Sequence, residues 1–433
     1  MTMRNAFSLL FFALVSGTCL AAEFDFKGKL FTQAGIGIPN GHNSSNQGDL
    51  LLGNLGAEAE ISAYSDCWTF FTDTSLSYDY IVKEDNLTLR LKELWFDYGG
   101  KGWSLRVGRQ LTAWGAADGI QVADVLCPQD QSSIWSSDYS ESRLGIDAAR
   151  FTISGESLAA DFYWIPLFTP NELPLKEGNP LKKILIPSGV AKVTEDSFEK
   201  PDVALENGEY AVRIKAFLPF ADISLYGFYG WEDNPVMKYS IGQNITVTGT
   251  YERMAMIGMD SSIPIGTVML RLEGAVFPAR AMSVSAEEQL KSQIMALRTG
   301  KKDFDYFIRR TQTLGLIGLD FMPSGWTITA QYCIDAVIGD IKMLDRERFV
   351  HTATFSVSKS IFRETLELSL TGIVEMNHWS SMINPSATYS VTDQLKVSLG
   401  ANFFMRGPDS ENKGTYAAYE DLSCVTVKAT FSF

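Results

Sequence analysis

The sequence lacks the features by which several large classes of protein are recognised. After the N-terminal segment it has no run of about 18 or more apolar residues, which excludes membrane-spanning helices. Its three histidines, His42, His351 and His378, leave few candidates for a catalytic base, and no Gly-x-Ser-x-Gly motif accompanies them. Its five cysteines form no Cys-x-x-Cys pair, so neither zinc nor a redox centre is indicated. We therefore expect no catalytic residues, no metal and no cofactor.

Positive charge is also scarce. The chain has 37 Lys and Arg residues against 51 Asp and Glu residues, which gives a net charge of -14. An acidic surface repels a phosphate backbone, so we expect no nucleic acid partner. Hydrophobic residues make up 45% of the chain, a share that a soluble globular protein would also have. Composition alone therefore does not choose a fold.

The N-terminus has the pattern of a secretory signal peptide. Arg4 precedes a largely apolar run, and a pair of alanines follows that run. We predict that residues 1–22 are a signal peptide that is removed on export and that residues 23–433 form a single domain. Cys19 leaves a lipoprotein signal as the alternative, although no leucine stands three residues before it.

Hydrophobicity alternates with a period of two along most of the chain. In residues 425–433 every odd position is apolar and every even position is polar, and residues 366–377 alternate in the same way with Ile373 as the exception. Such a strand has one apolar and one polar face, as in bacterial outer-membrane barrels. A soluble β-sandwich produces the same alternation, but the export signal and the terminal Phe433 favour the barrel.

Repetition of this pattern predicts an all-β fold, an antiparallel up-and-down transmembrane β-barrel. The strand-like runs lie near residues 24–38, 51–64, 68–82, 87–98, 103–114, 143–154, 158–168, 207–218, 222–232, 249–262, 267–278, 305–322, 326–338, 350–361, 365–377, 380–392, 395–406 and 418–433. They amount to about 18 strands, with 16 as the alternative, and an even number is the bacterial pattern. We expect Phe431 and Phe433 to form the signal that the barrel assembly machinery reads.

Short turns and long loops alternate between the predicted strands. Short connections rich in turn-forming residues lie near residues 65–67, 99–102, 264–266, 323–325 and 392–394. Longer polar segments lie at residues 39–48, 115–142, 169–206, 232–248, 281–303 and 407–414. We expect the short turns to face the periplasm and the long loops to face outward or to fold into the lumen. Residues 286–298 have apolar residues at helical spacing, which predicts a short helix in one loop.

Two segments carry a resemblance to known proteins. Residues 91–115 read LKELWFDYGGKGWSLRVGRQLTAWG, and residues 164–170 read WIPLFTP, followed by Leu173 and Pro174. They resemble porin-like outer-membrane proteins, including alginate-export-type barrels and an uncharacterised family with Gly-Arg-Gln followed by Trp-Gly. The resemblance covers these segments and the general order of strands and loops. It implies a porin-like barrel in a Gram-negative outer membrane and names no substrate.

Charged residues within the strands are assigned to the lumen, because an Arg or Lys that faces lipid at the midplane costs about 2–4 kcal/mol. The apolar side of residues 87–98 changes parity, so we predict a bulge near Lys92 and Glu93. The bulge would turn Glu93 into the lumen, where Arg106 or Arg109 could pair with it. The residues proposed to line the pore or its constriction are Arg90, Lys92, Glu93, Arg106, Arg109, Arg213, Lys215, Arg271, Glu273, Glu367, Glu375 and Lys396. Other lumen positions are Glu58, Glu60, Asp335 and Arg406.

These charges admit two interpretations. They could form a charged constriction that selects solutes, or an internal network of salt bridges that braces the wall. Both signs are present, so no preference for anions or cations is predicted. The loop after Trp114 is a candidate constriction loop or gate, with a solvated surface loop and a calcium site as alternatives. Its polar residues are Asp118, Gln121, Asp124, Cys127, Asp130 and Asp138.

The function expected from these patterns is a porin-like channel in the cell outer membrane that passes small or extended solutes through a polar lumen. The expected partners are outer-membrane lipid, lipopolysaccharide, the barrel assembly machinery and a small-molecule solute. A surface adhesin or antigen anchored by the barrel is the alternative. An outer-membrane hydrolase built around His378 is the third hypothesis.

Overall fold

The computed structural model describes residues 22–40, 45–135, 139–186, 190–191, 193–300, 305–408 and 414–433. The predicted signal peptide, apart from Ala22, lies outside the described residues, as do His42 and Asp138. No helix in these described ranges is long and apolar enough to cross a membrane.

β-Strands account for most of the described chain. They are β1 (Glu23–Gly37), β2 (Leu50–Ser65), β3 (Trp68–Asp79), β4 (Leu87–Gly100), β5 (Trp103–Gln110), β6 (Ile146–Ser154), β7 (Leu158–Ile165), β8 (Phe198–Glu199), β9 (Glu209–Leu218), β10 (Ala221–Trp231), β11 (Val236–Ile241), β12 (Ile245–Thr250), β13 (Arg253–Ile265), β14 (Val268–Ser283), β15 (Phe307–Phe321), β16 (Trp326–Ile338), β17 (Phe349–Ile361), β18 (Leu366–Glu375), β19 (Ser380–Ser390), β20 (Leu395–Met405) and β21 (Cys424–Ser432). The α-helices are α1 (Lys182–Leu185) and α2 (Ala286–Thr299), and 3-10 turns lie at Tyr139–Ser142, Glu195–Ser197, Leu205–Asn207 and Ala417–Leu422.

Eighteen of these strands form one closed barrel, and the short strands β8, β11 and β12 form a separate small sheet. Each barrel strand pairs with its neighbour in chain order, and β1 closes the sheet by pairing with both β2 and β21. Closure leaves no unpaired edge among the 18 strands. The predicted all-β barrel of about 18 strands is confirmed, and all 18 predicted runs coincide with strands.

The strand boundaries differ from the prediction by four residues or more at four long connections. β13 begins at Arg253 rather than near residue 249, and β14 ends at Ser283 rather than near residue 278. The last strand begins at Cys424 rather than near residue 418, because residues 417–422 form a 3-10 helix. β5 ends at Gln110 rather than near residue 114, because the chain there leaves the sheet and enters the barrel.

The two ends of the barrel differ in the length of their connections. At the end that also carries the chain termini of the barrel, turns of two to four residues join the strands. Gly102 and Gly266 adopt positive φ in two of these turns, a conformation that glycine accepts without steric cost. At the other end the connections are mostly long, and they include α2, which confirms the helix predicted over residues 286–298.

Alternation along the strands sorts the side chains to two faces, and the predicted bulge in β4 is confirmed. Asp73 lies opposite Glu93 whereas Thr74 lies opposite Leu91, so Lys92 is the extra residue. Beyond it the outward positions change from odd to even numbers, which keeps Leu94, Phe96 and Tyr98 on the outward face. The bulge therefore places Glu93 on the inner face, as predicted.

Outside the barrel, α2 covers one edge of the small sheet through two glutamines. The side-chain amide of Gln289 accepts from the backbone N–H of Tyr239 at 3.0 Å and donates to the carbonyl of Met237 at 2.9 Å. Gln293 pairs in the same way with Ile241 N–H and Tyr239 C=O, at 3.0 and 2.5 Å. The opposite edge is occupied by β8, which pairs with β12.

Candidate functional site

The connection between β5 and β6 folds into the barrel. We call its described residues, 111–135 and 139–145, the inward loop. Its side chains Trp114, Val122 and Leu126 are buried in one cluster with inward residues of the wall such as Phe228 and Met256. Burial of this apolar surface fixes the loop against the inner face of the barrel.

A single carboxylate of the wall holds the backbone of the inward loop. Glu273 accepts hydrogen bonds from the N–H groups of Ala116 at 2.7 Å, Ala117 at 2.8 Å and Ala123 at 2.8 Å. Gly115 permits the close approach, because a Cβ there would lie 2.3 Å from Glu273 Oε1. Charge-assisted hydrogen bonds of this kind are about twice as strong as neutral ones. Glu273 therefore anchors the loop rather than lining open lumen.

Two further wall residues extend this attachment. The hydroxyl of Tyr226 accepts from Gly115 N–H at 3.1 Å and donates to Asp260 in a short hydrogen bond, while its ring stacks on Trp114 with centroids 4.8 Å apart. Arg271 donates to the carbonyl of Ala116 at 2.9 Å. The same guanidinium pairs with loop Asp118 at 3.0 Å and with wall Asp320 at 2.5 Å.

Within the inward loop, two buried polar side chains are paired with groups of the same loop. Asp124 accepts from Trp114 N–H at 3.0 Å and from the guanidinium of Arg143 at 2.6 Å, and burial raises the pKa of this carboxyl. The thiol of Cys127 accepts from Thr112 N–H at 3.2 Å, and burial raises the pKa of Cys127 to about 12. These contacts supply loop carboxylates with protein partners, as a packed loop requires.

The return path of the inward loop runs along the other side of the barrel mouth. Asp130 and Glu172 both pair with Arg90 of β4, at 2.9 and 2.5 Å. Further on, Trp135 Nε1 donates to the carbonyl of Leu422 at 3.2 Å. Burial and the neighbouring Asp130 raise the pKa of Glu172. Arg90 thus joins the wall to two of the long loops.

Below the inward loop, one part of the wall carries a row of cations. Arg106 of β5 lies opposite Arg150 of β6, and both guanidiniums face Asp97, at 2.9 and 3.9 Å. Arg106 also lies over the ring of Trp95, 3.6 Å from its centroid. On β9, Arg213 pairs with Asp161 at 2.6 Å and Lys215 follows on the same face. We call Arg106, Arg150, Arg213 and Lys215 the basic row.

The wall formed by β1–β4 has the opposite balance of charge. The ammonium of Lys92 lies 2.9 Å from Glu58 and 3.1 Å from Asp73, and Lys29 lies 3.1 Å from Glu58. Carboxylate oxygens of Glu58, Glu60 and Asp73 lie within 4.8 Å of one another. Because Lys92 bridges two of these three acids, the cluster is compensated by an ammonium group.

Arg109 is a correction to the predicted lumen set. The register places Arg109 opposite Leu94, which faces outward with Phe96 and Val107. It pairs there with Asp147, at 2.6 and 3.0 Å. The physical reason is the two-residue alternation, which puts residues three apart in a strand on opposite faces. Arg106 and Arg109 therefore do not act on the same side of the wall.

The predicted pairing of Glu93 with Arg106 or Arg109 is also wrong. Glu93 accepts from Leu111 N–H at 2.8 Å and from Trp95 Nε1 at 3.3 Å. Each arginine pairs instead with the aspartate directly opposite it in the sheet, Asp97 for Arg106 and Asp147 for Arg109. Each arginine pairs with the aspartate on the neighbouring strand because directly opposite residues have the shortest distance between their Cβ atoms.

The remaining predicted positions are on the inner face but apart from the basic row. Glu375 accepts from Ser380 at 3.2 Å and from Thr415 N–H. Glu367 lies opposite Thr388, and Lys396 lies opposite Thr430, at the end with short turns. Asp335 accepts from Gln312 at 2.8 Å, and Arg406 pairs with Glu420.

Sequence reasoning missed several inner-face residues of the basic row and its surroundings. They are Asp97, Arg150, Asp161, Tyr226 and Asp260. Alternation could have found Arg150, because Phe151 and Ile153 are apolar and face outward. The contact of Tyr226 with the inward loop has no sequence signal, because it joins residues 111 positions apart.

The C-terminal aromatic residue closes the barrel seam. Phe433 and Gly28 exchange two backbone hydrogen bonds, at 2.8 and 2.9 Å. The ring of Phe433 covers Gly28 and lies 6.2 Å from the ring of Phe26, measured between centroids. The role of Phe431 and Phe433 as an assembly signal stays a prediction.

The histidines described lie outside the lumen network. His351 is on the outward face of β17, where its Nδ1 lies 2.6 Å from the hydroxyl of Tyr332. His378 lies in the connection after β18, with Nε2 3.8 Å from Glu347. A separate cavity of about 670 Å³ lies among the outer connections and is lined by residues that include Tyr239, Arg280 and Arg346.

Comparison with known proteins gives matches at the level of structure. No protein-family model matches the chain, and no curated protein matches it. The structure is similar to Acinetobacter baumannii OccAB3, with a TM-score of 0.51 and 8% identity over 95% of this chain and 99% of that one. It is also similar to Pseudomonas aeruginosa OccK8 (OprE), with a TM-score of 0.52 and 8% identity over 95% of this chain and 97% of that one. The shared fold is that of outer-membrane barrels and, with the apolar outward face, points to the Gram-negative outer membrane.

Proposed function

We propose that this protein is a porin-like channel through which small or extended solutes cross the outer membrane by passive or facilitated diffusion. The observation that carries the proposal is the basic row, which lies on the lumen wall next to the inward loop. Ordered charges on a wall that a loop narrows are the means by which channels select solutes. The charges that brace the wall and the charges that meet solute are then the same residues.

The balance of charge suggests which solutes interact with this wall. The basic row holds four cations, and the carboxylates paired with it are Asp97 and Asp161. The network on the neighbouring wall of β1–β4 holds Lys29 and Lys92 against three carboxylates, Glu58, Glu60 and Asp73. An anionic group on a solute is attracted to the basic row and repelled by the acidic network. We propose organic anions and zwitterions as the preferred solutes.

Residues 1–22 act as a signal peptide that directs export and is then removed, which leaves the barrel of residues 23–433. The outward face contacts membrane lipid and lipopolysaccharide, and the barrel assembly machinery reads Phe431 and Phe433. The protein acts without catalysis, a metal or a cofactor.

Planar-bilayer conductance and liposome flux of the refolded protein test the channel. We expect discrete conductance steps, and faster entry of small organic acids than of neutral sugars or apolar compounds of equal size. A sealed bilayer, with no solute entering the liposomes, would contradict the proposal.

A surface adhesin or antigen anchored by the barrel is the second candidate. The observation that favours it is the apolar packing of the inward loop, which occupies interior space with buried side chains. This candidate predicts a sealed bilayer together with binding to cell-surface material. Conductance and binding measured on the same refolded sample therefore separate the two functions.

A further inference from the structure

The segment that leads into β9 lies against the outside of the barrel. We call residues 201–208 the outer-rim segment. The guanidinium of Arg253 binds the backbone of this segment and donates to the carbonyls of Glu206 at 2.8 Å and Gly208 at 3.0 Å. Trp231 Nε1 donates to the carbonyl of Asn207, which lies between them in the chain, at 2.9 Å. Three consecutive carbonyls are thus bound by side chains of the barrel wall.

The side chains that hold the segment belong to the outward face. Met254 and Met256 are buried inside the barrel, so the alternation along β13 turns Arg253 outward. Trp231 lies directly opposite Arg253 in the sheet, and the guanidinium lies 4.0 Å from the centre of the indole ring. Because both anchors point away from the lumen, the outer-rim segment lies beside the wall rather than across the channel mouth.

The wall beside the segment carries a row of exposed aromatic side chains. Trp164, Tyr210 and Tyr229 lie opposite one another across β7, β9 and β10, and each is exposed on the outward face. Trp and Tyr in such rows mark the interface between acyl chains and headgroups. A Cβ on Gly208 would lie 3.1 Å from Trp164 Nε1, so the segment is at the level of this row.

Two large apolar side chains project from the segment. Val203 is 82% exposed and Leu205 is 72% exposed. The backbone around them is folded, since Asn207 donates through its side chain to the carbonyl of Asp202 at 2.9 Å and through its N–H to Ala204 at 3.0 Å. A compact turn that exposes apolar side chains next to an interfacial aromatic row extends the lipid-facing surface of the barrel.

We propose that the outer-rim segment inserts Val203 and Leu205 into the outer leaflet, at the boundary between headgroups and acyl chains. The occupant of this surface is lipid, because the exposed apolar side chains lie on a segment that is held against the lipid-facing wall, with Gly208 beside Trp164. The carbonyl groups nearest to the wall are already bound by Arg253 and Trp231, which lowers the cost of placing this backbone in the interface.

Fluorescence quenching at single cysteines tests the insertion. In a Cys67→Ser background, the refolded Leu205→Cys protein is labelled with an environment-sensitive fluorophore and then placed in phosphatidylcholine liposomes. The other described cysteines, Cys127, Cys333 and Cys424, are buried and stay unlabelled in the folded protein. Ile257→Cys, on the outward wall and 67% exposed, is the lipid reference, and Leu297→Cys, on α2 and 79% exposed, is the aqueous reference. We expect the label at 205 to emit at shorter wavelength than that at 297. Lipids with brominated acyl chains should quench it several-fold more than aqueous iodide does.

Two outcomes would overturn the proposal. Quenching by iodide to the extent found at position 297 would place the segment in water. Protection from both quenchers that is lost on dilution of the protein in lipid would assign the surface to a second copy of the chain. Val203→Cys provides the same measurement at a second position if Leu205→Cys fails to fold.

Discussion

At the scale of the residue, the two faces of β5 and β6 separate arginines that are close in sequence. Arg106 and Arg150 face the lumen side by side, whereas Arg109 faces outward with Asp147. A unit charge about 4 Å from a permeating ion in water changes its energy by about 1 kcal/mol, or roughly fivefold in population. We predict that Arg106→Gln combined with Arg150→Gln lowers the anion-to-cation permeability ratio several-fold, measured as the reversal potential in a KCl gradient.

Arg109→Gln is the matched control for this experiment. It removes one arginine charge from β5, the strand that also carries Arg106, but on the other side of the wall, and we expect the reversal potential to stay unchanged. An equal shift from Arg109→Gln would contradict the assignment of faces. No shift from the double variant would remove the basic row from the permeation path.

The cysteines offer a second prediction at the residue scale. Cys127 is buried with its pKa raised to about 12, whereas Cys67 is exposed in a short turn. Because the thiolate is the reactive form, iodoacetamide at pH 8.5 should modify Cys67 in the folded protein and leave Cys127 intact. Because the pKa of Cys127 is higher in the folded chain than in the unfolded chain, ionisation of this thiol favours unfolding. The contribution of neutral Cys127 to the free energy of unfolding is complete below about pH 8.5 and is lost as the pH rises toward 12. Modification is read by mass spectrometry of peptides, and rapid labelling of Cys127 would show that the inward loop is not packed.

At the scale of the element, the inward loop depends on Glu273. Replacement by Gln keeps the shape of the side chain but removes the charge that three N–H groups stabilise. A lost or weakened hydrogen bond to a charged group costs about 1.5–3 kcal/mol, so we predict a more mobile loop in Glu273→Gln. Limited proteolysis within residues 115–130 should become faster, and current noise in bilayers should rise.

Glu367→Gln is the control, since Glu367 is an inward carboxylate of β18 at the end with short turns. Its replacement should leave proteolysis of the inward loop at the parent rate. If Glu273→Gln and Glu367→Gln behave alike, the loop is held by its apolar contacts rather than by the carboxylate.

The elements also show what can be read from a sequence of this kind. The parity change around Lys92 predicts a bulge because apolar side chains must return to the lipid face, and the register confirms it. The partners of Glu93 and Arg106 are not predictable in this way. They depend on which residue lies opposite in the sheet, and a period of two fixes the face of a residue without fixing its register.

At the scale of the whole molecule, closure of the barrel depends on the contact between its first and last strands. A Cβ on Gly28 would lie 2.3 Å from the ring of Phe433, whereas a Cβ on Gly315 would meet Ile334 at an ordinary 3.7 Å. We predict that Gly28→Ala displaces Phe433 and lowers the unfolding temperature on heat-shift gels by several degrees, since overpacking costs about 1–3 kcal/mol. Gly315→Ala, which sits in the middle of β15, should unfold at the parent temperature. Equal stability of the two variants would show that the Phe433 ring is not needed for the seam.

The whole architecture could be predicted from the sequence to a greater extent than the candidate site. Because each strand has lipid on one side and water on the other, its residues alternate between apolar and polar. The order of strands and turns can therefore be predicted from short stretches of sequence. The inward loop is held by Glu273 and Tyr226, which are more than 100 positions away from it in the sequence. Such contacts follow from the path of the loop through the barrel, and no local pattern encodes that path.

The glutamines of α2 have a consequence for encounters at the cell surface. A row of free backbone groups on an external hairpin is a template to which any extended peptide can add as a new strand. In this protein Gln289 and Gln293 occupy that row on β11, and β8 occupies part of the other side. Few backbone groups of this hairpin are therefore free to hydrogen-bond to an external peptide, and any molecule that recognises the hairpin must do so through its side chains.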